Sequence, residues 1–319
     1  MNLSKAFEGY FYDKSATYSK KTTDGYVFAF RNLLAYLGDK PIEDVTPADL
    51  QGFILWLQKD YIPHRWDKDT SPLTAASVDY HWKATRSLFH WAYDTMSIPR
   101  PDLKMPRPSF IRAHVSAFTE EDIRKLTKAC EVIVVERDGK KHRQRLPEGY
   151  RDKALILTLL DTGLRIGELL RIQMRDINFE TSEINVAPFG TGKKTKPRVV
   201  VLGTTARRSV WLYVARLEKE RGITRPTDRL FPMTPDSVRQ MLTRLSKRAG
   251  VQDVHPHRFR HSFAIWYLRG GGDVFTLQRL LGHSSLEMVN WYLDIAQADL
   301  AIAHRKSSAL DRWNNNNPF

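Results

Sequence analysis

The 319-residue sequence is poor in cysteine and contains no long apolar run. Its single cysteine, Cys130, cannot form a disulfide within the chain, and no group of cysteines and histidines has the spacing of a zinc site. No stretch of about 18 apolar residues occurs, so no membrane span is predicted. The N-terminal residues also lack the apolar core of a signal peptide. These absences argue against internal disulfides, a zinc module and a membrane protein, and they predict a cytoplasmic location with Cys130 as a buried structural residue.

Acidic residues are scarce relative to basic ones. The chain has 36 Asp and Glu against 50 Lys and Arg, which gives a formal net charge of +14. Such an excess favours a polyanionic partner and steers the encounter with it. From charge alone, a basic soluble protein without such a partner is the alternative.

The first hundred residues predict a small all-helical domain. Apolar spacing indicates helices over 17–37 and 74–96, and Thr46-Pro47-Ala48-Asp49 predicts the start of another that ends near Tyr61. Four prolines between residues 97 and 112 then interrupt helical structure. We therefore expect a helical domain over 1–108, a linker over 109–116 and a second domain over 117–319.

The second domain is predicted to be rich in helices, with a small antiparallel sheet. Strands are expected at 184–188 and 197–202, joined by a turn rich in glycine and lysine. Asp138-Gly139 indicates a β-hairpin within 131–148, and a disordered basic loop is the alternative. Helices are expected at 119–129, 150–162, 165–174, 205–221, 236–249, 257–269, 274–281, 285–293 and 296–305. The predicted class is therefore mainly α.

Six residues of the second domain carry groups suited to phosphate chemistry. They are Arg165 in TGLRIGEL, Lys193 in GTGKKTKPRVV, His257 and Arg260 in HPHRFRHSF, His283 in LLGHSS and Tyr292 in NWYL. A hydroxyl that can become covalent, two guanidiniums, two imidazoles and an ammonium can attack a phosphodiester without a metal or another cofactor.

This order and spacing resemble the tyrosine recombinase (phage integrase) family over about residues 15–305. Each motif is weak alone, but the complete ordered set, with Tyr292 nine residues after His283, is specific. The resemblance implies an N-terminal domain that grips DNA and a catalytic domain in which Tyr292 becomes linked to the 3′ phosphate. Strand rejoining then needs no ATP, because the phosphotyrosine stores the bond energy.

The resemblance also suggests a role for each of the other residues. Arg165 and Arg260 would bind the non-bridging oxygens, and a planar guanidinium fork suits that geometry. Lys193 would protonate the leaving 5′ oxygen, with Lys194 as its rival for this role. His257 would act as general base, because imidazole titrates near neutrality. His283 would support the phosphate or the tyrosine, and Glu168 would hold Arg165 or His257 in position.

Without the partner motifs, each of these residues has an ordinary structural interpretation. A helical tyrosine between apolar neighbours usually belongs to the core, and a lone arginine is usually solvated or ion-paired. Lone histidines in helices are usually structural, and we assign His255 and His261 to that class.

A further set of basic side chains is predicted to contact DNA outside the catalytic centre. The segment 236–249 places its apolar residues on one face and its basic residues elsewhere. This pattern suits a helix that lies in a major groove. A solvated basic face explains it equally well. The candidates are Lys83, Arg86, Arg198, Arg239, Arg244 and Lys247.

The predicted function is site-specific DNA recombination. The expected partners are double-stranded DNA carrying specific recombination sites and other copies of the chain, as a tetramer on two sites, with room for an accessory directionality factor. The apolar segment after Tyr292 is expected to dock on a neighbouring protomer. A type IB topoisomerase, and a DNA-binding architectural protein without catalysis, are the alternatives.

Overall fold

The computed structural model describes residues 1–64, 69–108, 116–137, 140–188, 197–222, 224–282 and 292–293. The chain divides into two compact units, Met1–Ala113 and His114–Phe319. This division falls inside the segment for which the prolines predict a linker.

Over its described residues, the N-terminal unit contains four α-helices, α1 (Leu3–Lys14), α2 (Lys20–Leu37), α3 (Pro47–Lys59) and α4 (Ala75–Met96). Side chains cap three of the helices: Ser19 accepts from the Thr22 amide, Thr74 accepts from the Ser77 amide, and Thr46 forms a reciprocal capping box with Asp49. Sequence reasoning missed α1, which buries Leu3, Ala6, Phe7 and Tyr10 against the other helices. The three predicted helices are confirmed.

The C-terminal unit is built around a buried helix. It contains α5 (Glu120–Glu131), α6 (Gly149–Thr162), α7 (Ile166–Leu169), α8 (Thr204–Arg221), α9 (Pro235–Ala249), α10 (Pro256–Arg269) and α11 (Val274–Leu281). Residues 154–159 of α6 are all buried, and the helix packs against α5, α8 and α10. Because α6 is surrounded on these sides, its C-terminal end lies inside the unit, where it can position other groups.

The described residues of this unit also form two small antiparallel sheets. Strands β1 (Val132–Arg137) and β2 (Lys140–Arg145) form the hairpin that Asp138-Gly139 predicts. Strands β3 (Ile177–Asn178), β4 (Glu183–Val186) and β5 (Arg198–Val201) form a second sheet in the order β3-β4-β5. Strand β5 packs against α11, which brings the start of β5 to the candidate site.

Two sequence predictions need correction. The helix expected over 165–174 is one short turn, α7, followed by a 3₁₀ turn at Met174–Asp176, and strand β3 was missed. Both errors concern short elements that tertiary packing stabilises, since single turns carry little helical preference of their own. Cys130 is fully buried as expected, and burial raises the pKa of its thiol to about 12. The helices predicted at 285–293 and 296–305 fall almost wholly outside the described residues.

Candidate active site

The end of α6 forms one wall of the candidate site. Gly163 follows this helix with φ 61°, and a Cβ at this position would lie 2.3 Å from Cδ1 of Phe263 and 2.8 Å from Cδ2 of Leu281. Both the backbone conformation and the close approach require glycine. The Gly163 carbonyl accepts a 2.7 Å hydrogen bond from Nη1 of Arg260.

Arg260 is held between two helix C-termini. Its Nη2 donates to the carbonyl of Leu281, the last residue of α11, at 2.8 Å, and only 4% of the residue is exposed. Helix C-termini carry partial negative charge, so these carbonyls orient the guanidinium without neutralising it. Burial, together with the positive charge of Arg165, lowers the pKa of Arg260 to about 10. The side chain therefore remains a cation at neutral pH.

Glu168 joins two further arginines. Its carboxylate accepts hydrogen bonds from the Arg165 backbone amide at 2.9 Å and from Nη1 of Arg165 at 3.2 Å. It also accepts two from Arg198, at 3.3 and 2.7 Å. Burial raises the pKa of Glu168, but the hydrogen bonds and charge of Arg198, with a smaller contribution from Arg165, lower it overall. Glu168 is therefore an anion in contact with Arg165, one of the two residues that the sequence suggested as its partner.

Arg198, which the sequence predicts to contact a phosphate, is ion-paired inside the unit. Its side chain is only 7% exposed, its Nε donates to the Leu280 carbonyl at 2.7 Å, and its two terminal nitrogens donate to Glu168. Arg198 starts the strand β5, which packs on α11, so its guanidinium is directed inward and not toward solvent. This arrangement makes Arg198 a residue that positions Glu168 and the end of α11.

Tyr292 lies in the interior of this cluster, with 1% of its surface exposed. It belongs to one buried apolar cluster with Ala264 and Ile265 of α10 and with Leu277 and Leu281 of α11. Burial raises the pKa of Tyr292, and the positive charges of Arg260 and Arg165 oppose that rise. The ring is therefore packed as a core residue, while its hydroxyl lies in the field of two guanidiniums.

Among the described residues, His261 is the histidine that contacts this hydroxyl. Its Nδ1 lies 2.7 Å from Oη of Tyr292, and the two ring centroids are 5.5 Å apart. Sequence reasoning assigned His261 to a structural class and missed this contact. One signal was available: His257 and His261 are one helical turn apart and share a face of α10.

The other two histidines at the start of α10 differ from His261. His257 is exposed in the first turn, with its ring centroid 6.4 Å from that of His261. His255 precedes the helix and caps it, because its Nδ1 accepts the Arg258 amide at 3.3 Å. The structural assignment of His255 is confirmed.

The charges of this cluster do not balance. Arg165, Arg198 and Arg260 contribute three positive charges and Glu168 one negative charge, which leaves a net charge of two. Arg165 is the most accessible of the three arginines, at 35% of its side chain, against 7% for Arg198. A positive site of this kind, with a buried hydroxyl beside it, is suited to bind an anion and transfer a group to oxygen.

Three of the sequence candidates, Lys193, Lys194 and His283, lie outside the described residues. The chain on either side of them is described. Strand β4 ends at Val186 and β5 begins at Arg198. Helix α11 ends at Leu281, and a Cβ at the following Gly282 would lie 3.0 Å from Nη1 of Arg198.

Most of the remaining basic candidates are exposed and several are ion-paired. Arg244 and Lys247 are exposed on α9, whose apolar face is buried as predicted, and the exposed Arg239 pairs with Asp236. In the N-terminal unit, Lys83 pairs with Asp79 at 2.5 Å, and Arg86 pairs with Asp102 at 3.3 Å. An ion pair at a partly exposed side chain does not prevent a phosphate contact, so these five residues stay predictions.

Two properties of the described part of the chain bear on its class. None of its helices is both long enough and apolar enough to cross a bilayer. It also contains no cluster of three or more His, Cys, Asp or Glu placed to hold a metal ion.

Family models match most of the chain. Residues 117–299 match the phage integrase family, and residues 9–97 match the phage integrase N-terminal SAM-like domain. The chain belongs to the phage integrase family. It is a site-specific tyrosine recombinase that acts by cleaving and rejoining DNA strands.

Individual relatives agree with this assignment. The chain is 28% identical to tyrosine recombinase XerA of Saccharolobus solfataricus over 283 residues, which cover 88% of this chain and 85% of the relative. It is 32% identical to tyrosine recombinase XerC of Staphylococcus epidermidis over 217 residues, which cover 66% and 67% of the two chains.

Solved structures show the same fold. The Tn1549 transposon integrase in complex with transposon right end DNA aligns with a TM-score of 0.72 at 18% identity, over 97% of this chain and all of the other. A lambda integrase dimer bound to a core site aligns with a TM-score of 0.66 at 19% identity, over 92% and 95%. At these identities the likeness concerns the fold alone.

Proposed function

We propose that this recombinase cuts one DNA strand at a time by attack of the Tyr292 hydroxyl on a phosphodiester at a specific site. The tyrosine becomes linked to the 3′ phosphate and the 5′ hydroxyl leaves. The observation that carries the proposal is the position of the Tyr292 hydroxyl, within hydrogen-bond distance of His261 and in the field of Arg260 and Arg165.

The two arginines serve the phosphate in this proposal. Arg260 and Arg165 bind the non-bridging oxygens, where negative charge grows in the transition state. Arg260 is held by two carbonyls and Arg165 by Glu168, so little reorganisation is needed when charge develops. Removal of one such preorganised donor costs about 10²- to 10³-fold in rate.

Three further roles come from the sequence motifs. Lys193 protonates the leaving 5′ oxygen, and His283 supports the phosphate or the tyrosine. A histidine of α10 accepts the tyrosine proton, and His257 holds this role in the sequence-based hypothesis. Because the charges come from the protein, the proposed reaction needs no metal ion.

DNA binding and self-association complete the proposal. The net charge of +14 and the exposed Arg244 and Lys247 of α9 support binding to duplex DNA. Solved relatives of the same fold include complexes with DNA and a dimer on a core site. We propose that four copies act on two sites, with the segment after Tyr292 docking on a neighbouring copy.

The test is formation of a covalent adduct on a nicked suicide duplex that carries the recombination site. Tyr292→Phe keeps the ring and its packing but removes the nucleophile, so we expect no adduct and DNA binding within a few-fold of the unmodified protein. An adduct formed by the variant would contradict the assignment. Relaxation of supercoiled DNA that lacks the site, without recombination between two sites, would favour a type IB topoisomerase instead.

A further inference from the structure

His261 and Tyr292 form a close pair of polar groups in apolar surroundings. Nδ1 of His261 lies 2.7 Å from the tyrosine hydroxyl, within the 2.6–3.2 Å reach that a general base needs. The hydroxyl belongs to a side chain that is 1% exposed, and His261 is partly buried on α10. The contact joins residues 31 positions apart in the chain, so it is a product of tertiary packing.

Both partners are neutral at rest. Burial raises the pKa of Tyr292, and burial, together with electrostatic interactions with His257, His255 and Arg260, lowers the pKa of His261 to about 4. A neutral imidazole has one bare ring nitrogen. In the tautomer that carries its proton on Nε2, Nδ1 is bare and accepts the hydrogen bond of the phenol.

We propose that His261, and not His257, accepts the proton of Tyr292 during strand cleavage. This inference rests on the proposed function. In the step, the O–H bond of Tyr292 breaks and its proton passes to Nδ1 of His261, while the phenolic oxygen forms a bond to phosphorus. The bond from phosphorus to the 5′ oxygen breaks, and that oxygen takes a proton from the general acid, the role proposed for Lys193.

The geometry distinguishes the two histidines. His257 is exposed in the first turn of α10, and its ring centroid is 6.4 Å from that of His261. His261 is one turn further into the helix, in direct contact with the reacting atom. This placement makes His261 the proton acceptor, and in the proposal the exposed His257 donates to a phosphate oxygen instead.

The arrangement also couples the basicity of His261 to the substrate. Arg260, a positive neighbour of His261, is also the proposed phosphate ligand. A phosphodiester bound there adds a negative charge that offsets the guanidinium, which favours protonation of His261. The tyrosine is therefore kept protonated until the phosphate arrives.

Two substitutions separate proton transfer from positioning. In His261→Asn, the amide places a polar atom near the position of Nδ1, so the contact with Tyr292 is kept, but an amide cannot accept the proton. In His261→Ala, both functions are lost. His142→Ala is the control, because His142 is an exposed histidine of the β1–β2 hairpin.

The measurement is the single-turnover rate of adduct formation on the suicide duplex, over a range of pH, with binding measured by gel shift. We expect both His261 variants to slow cleavage by about 10²- to 10⁴-fold, the usual contribution of a general base. Binding and thermal unfolding of His261→Asn should stay close to those of the unmodified protein. The acid limb of its pH profile should disappear, and imidazole should partly restore the rate of His261→Ala. Rejoining should slow by the same factor, because the proton must return to the phenolate.

The inference would be overturned if His261→Asn cleaved at a rate within about three-fold of that of the unmodified protein and kept its acid limb. This would hold even if His261→Ala were slow, because His261 would then only position the tyrosine. If His261→Ala fails to fold, the Asn variant and its pH profile still decide the question. Failure of the inference is distinguishable from failure of the proposed function. An adduct that Tyr292→Phe abolishes supports the nucleophile regardless of His261, whereas an adduct that persists in Tyr292→Phe overturns both.

Discussion

Replacement of Glu168 by Gln tests how far the stability of the catalytic unit depends on the carboxylate that joins two arginines. The Glu168 side chain is 2% exposed, and its partner Arg198 is 7% exposed. The substitution keeps the shape of the side chain but leaves the Arg198 guanidinium buried without its counter-ion. It also raises the net charge of the cluster from two to three.

The expected loss of stability is large. Breaking a buried ion pair by removing one partner costs about 3–5 kcal/mol. For a unit of this size, each kcal/mol corresponds to roughly 2–4 °C in Tm, so we expect a decrease of about 6–20 °C. The matched control is Glu120→Gln, which breaks an exposed pair with Arg124 and should change stability by less than about 1 kcal/mol.

The pH dependence gives a second, independent readout. The folded state holds the pKa of Glu168 below its ordinary value. The stabilisation from its ionised form is therefore complete above the ordinary pKa and is lost as the pH falls through the lowered one. The difference in Tm between the unmodified protein and Glu168→Gln should accordingly narrow below about pH 4. Melting curves for Glu168→Gln that match those of Glu120→Gln at neutral pH would refute the reasoning.

Three further predictions concern the turn after α6, the source of positive charge and the DNA contacts. Gly163→Ala should destabilise the protein by roughly 2–5 kcal/mol, because it adds the cost of a positive φ to a clash with Phe263. Gly250 shares the positive φ, but a Cβ there meets no atom within 4 Å. Gly250→Ala should therefore lower the free energy of unfolding by less than Gly163→Ala does, and equilibrium unfolding of both variants checks this. Strand cleavage in EDTA should match cleavage in Mg²⁺; a requirement for the metal would show that the guanidiniums do not supply the charge alone. DNA affinity in gel shifts should fall by on the order of 10²-fold or more between 50 and 200 mM salt, and a flat dependence would count against extensive phosphate contacts.

Local features of the sequence were sufficient to predict most helices. Thr46 with Asp49, and Thr119 with Asp122, form capping boxes whose partners lie three residues apart, so the same short segment specifies and forms them. The apolar face of α9 was also correct, because helical periodicity places Val238, Met241, Leu242 and Leu245 on one side wherever the helix packs. The family and its chemistry could also be predicted from the sequence, because the order and spacing of the motifs identify them without knowledge of their geometry.

Only the tertiary structure decided how the chemical groups meet. The sequence predicts that Arg198 contacts a phosphate, but the packing of β5 on α11 directs its side chain to Glu168, 30 residues away in the chain. His261 reads as a structural residue, but the packing of α10 and α11 around Tyr292 places it against the hydroxyl. In both cases the partner is distant in the chain, so the contact depends on how the elements pack together. Spacing along the chain determines which face of a helix a side chain occupies, whereas only packing determines what that face meets.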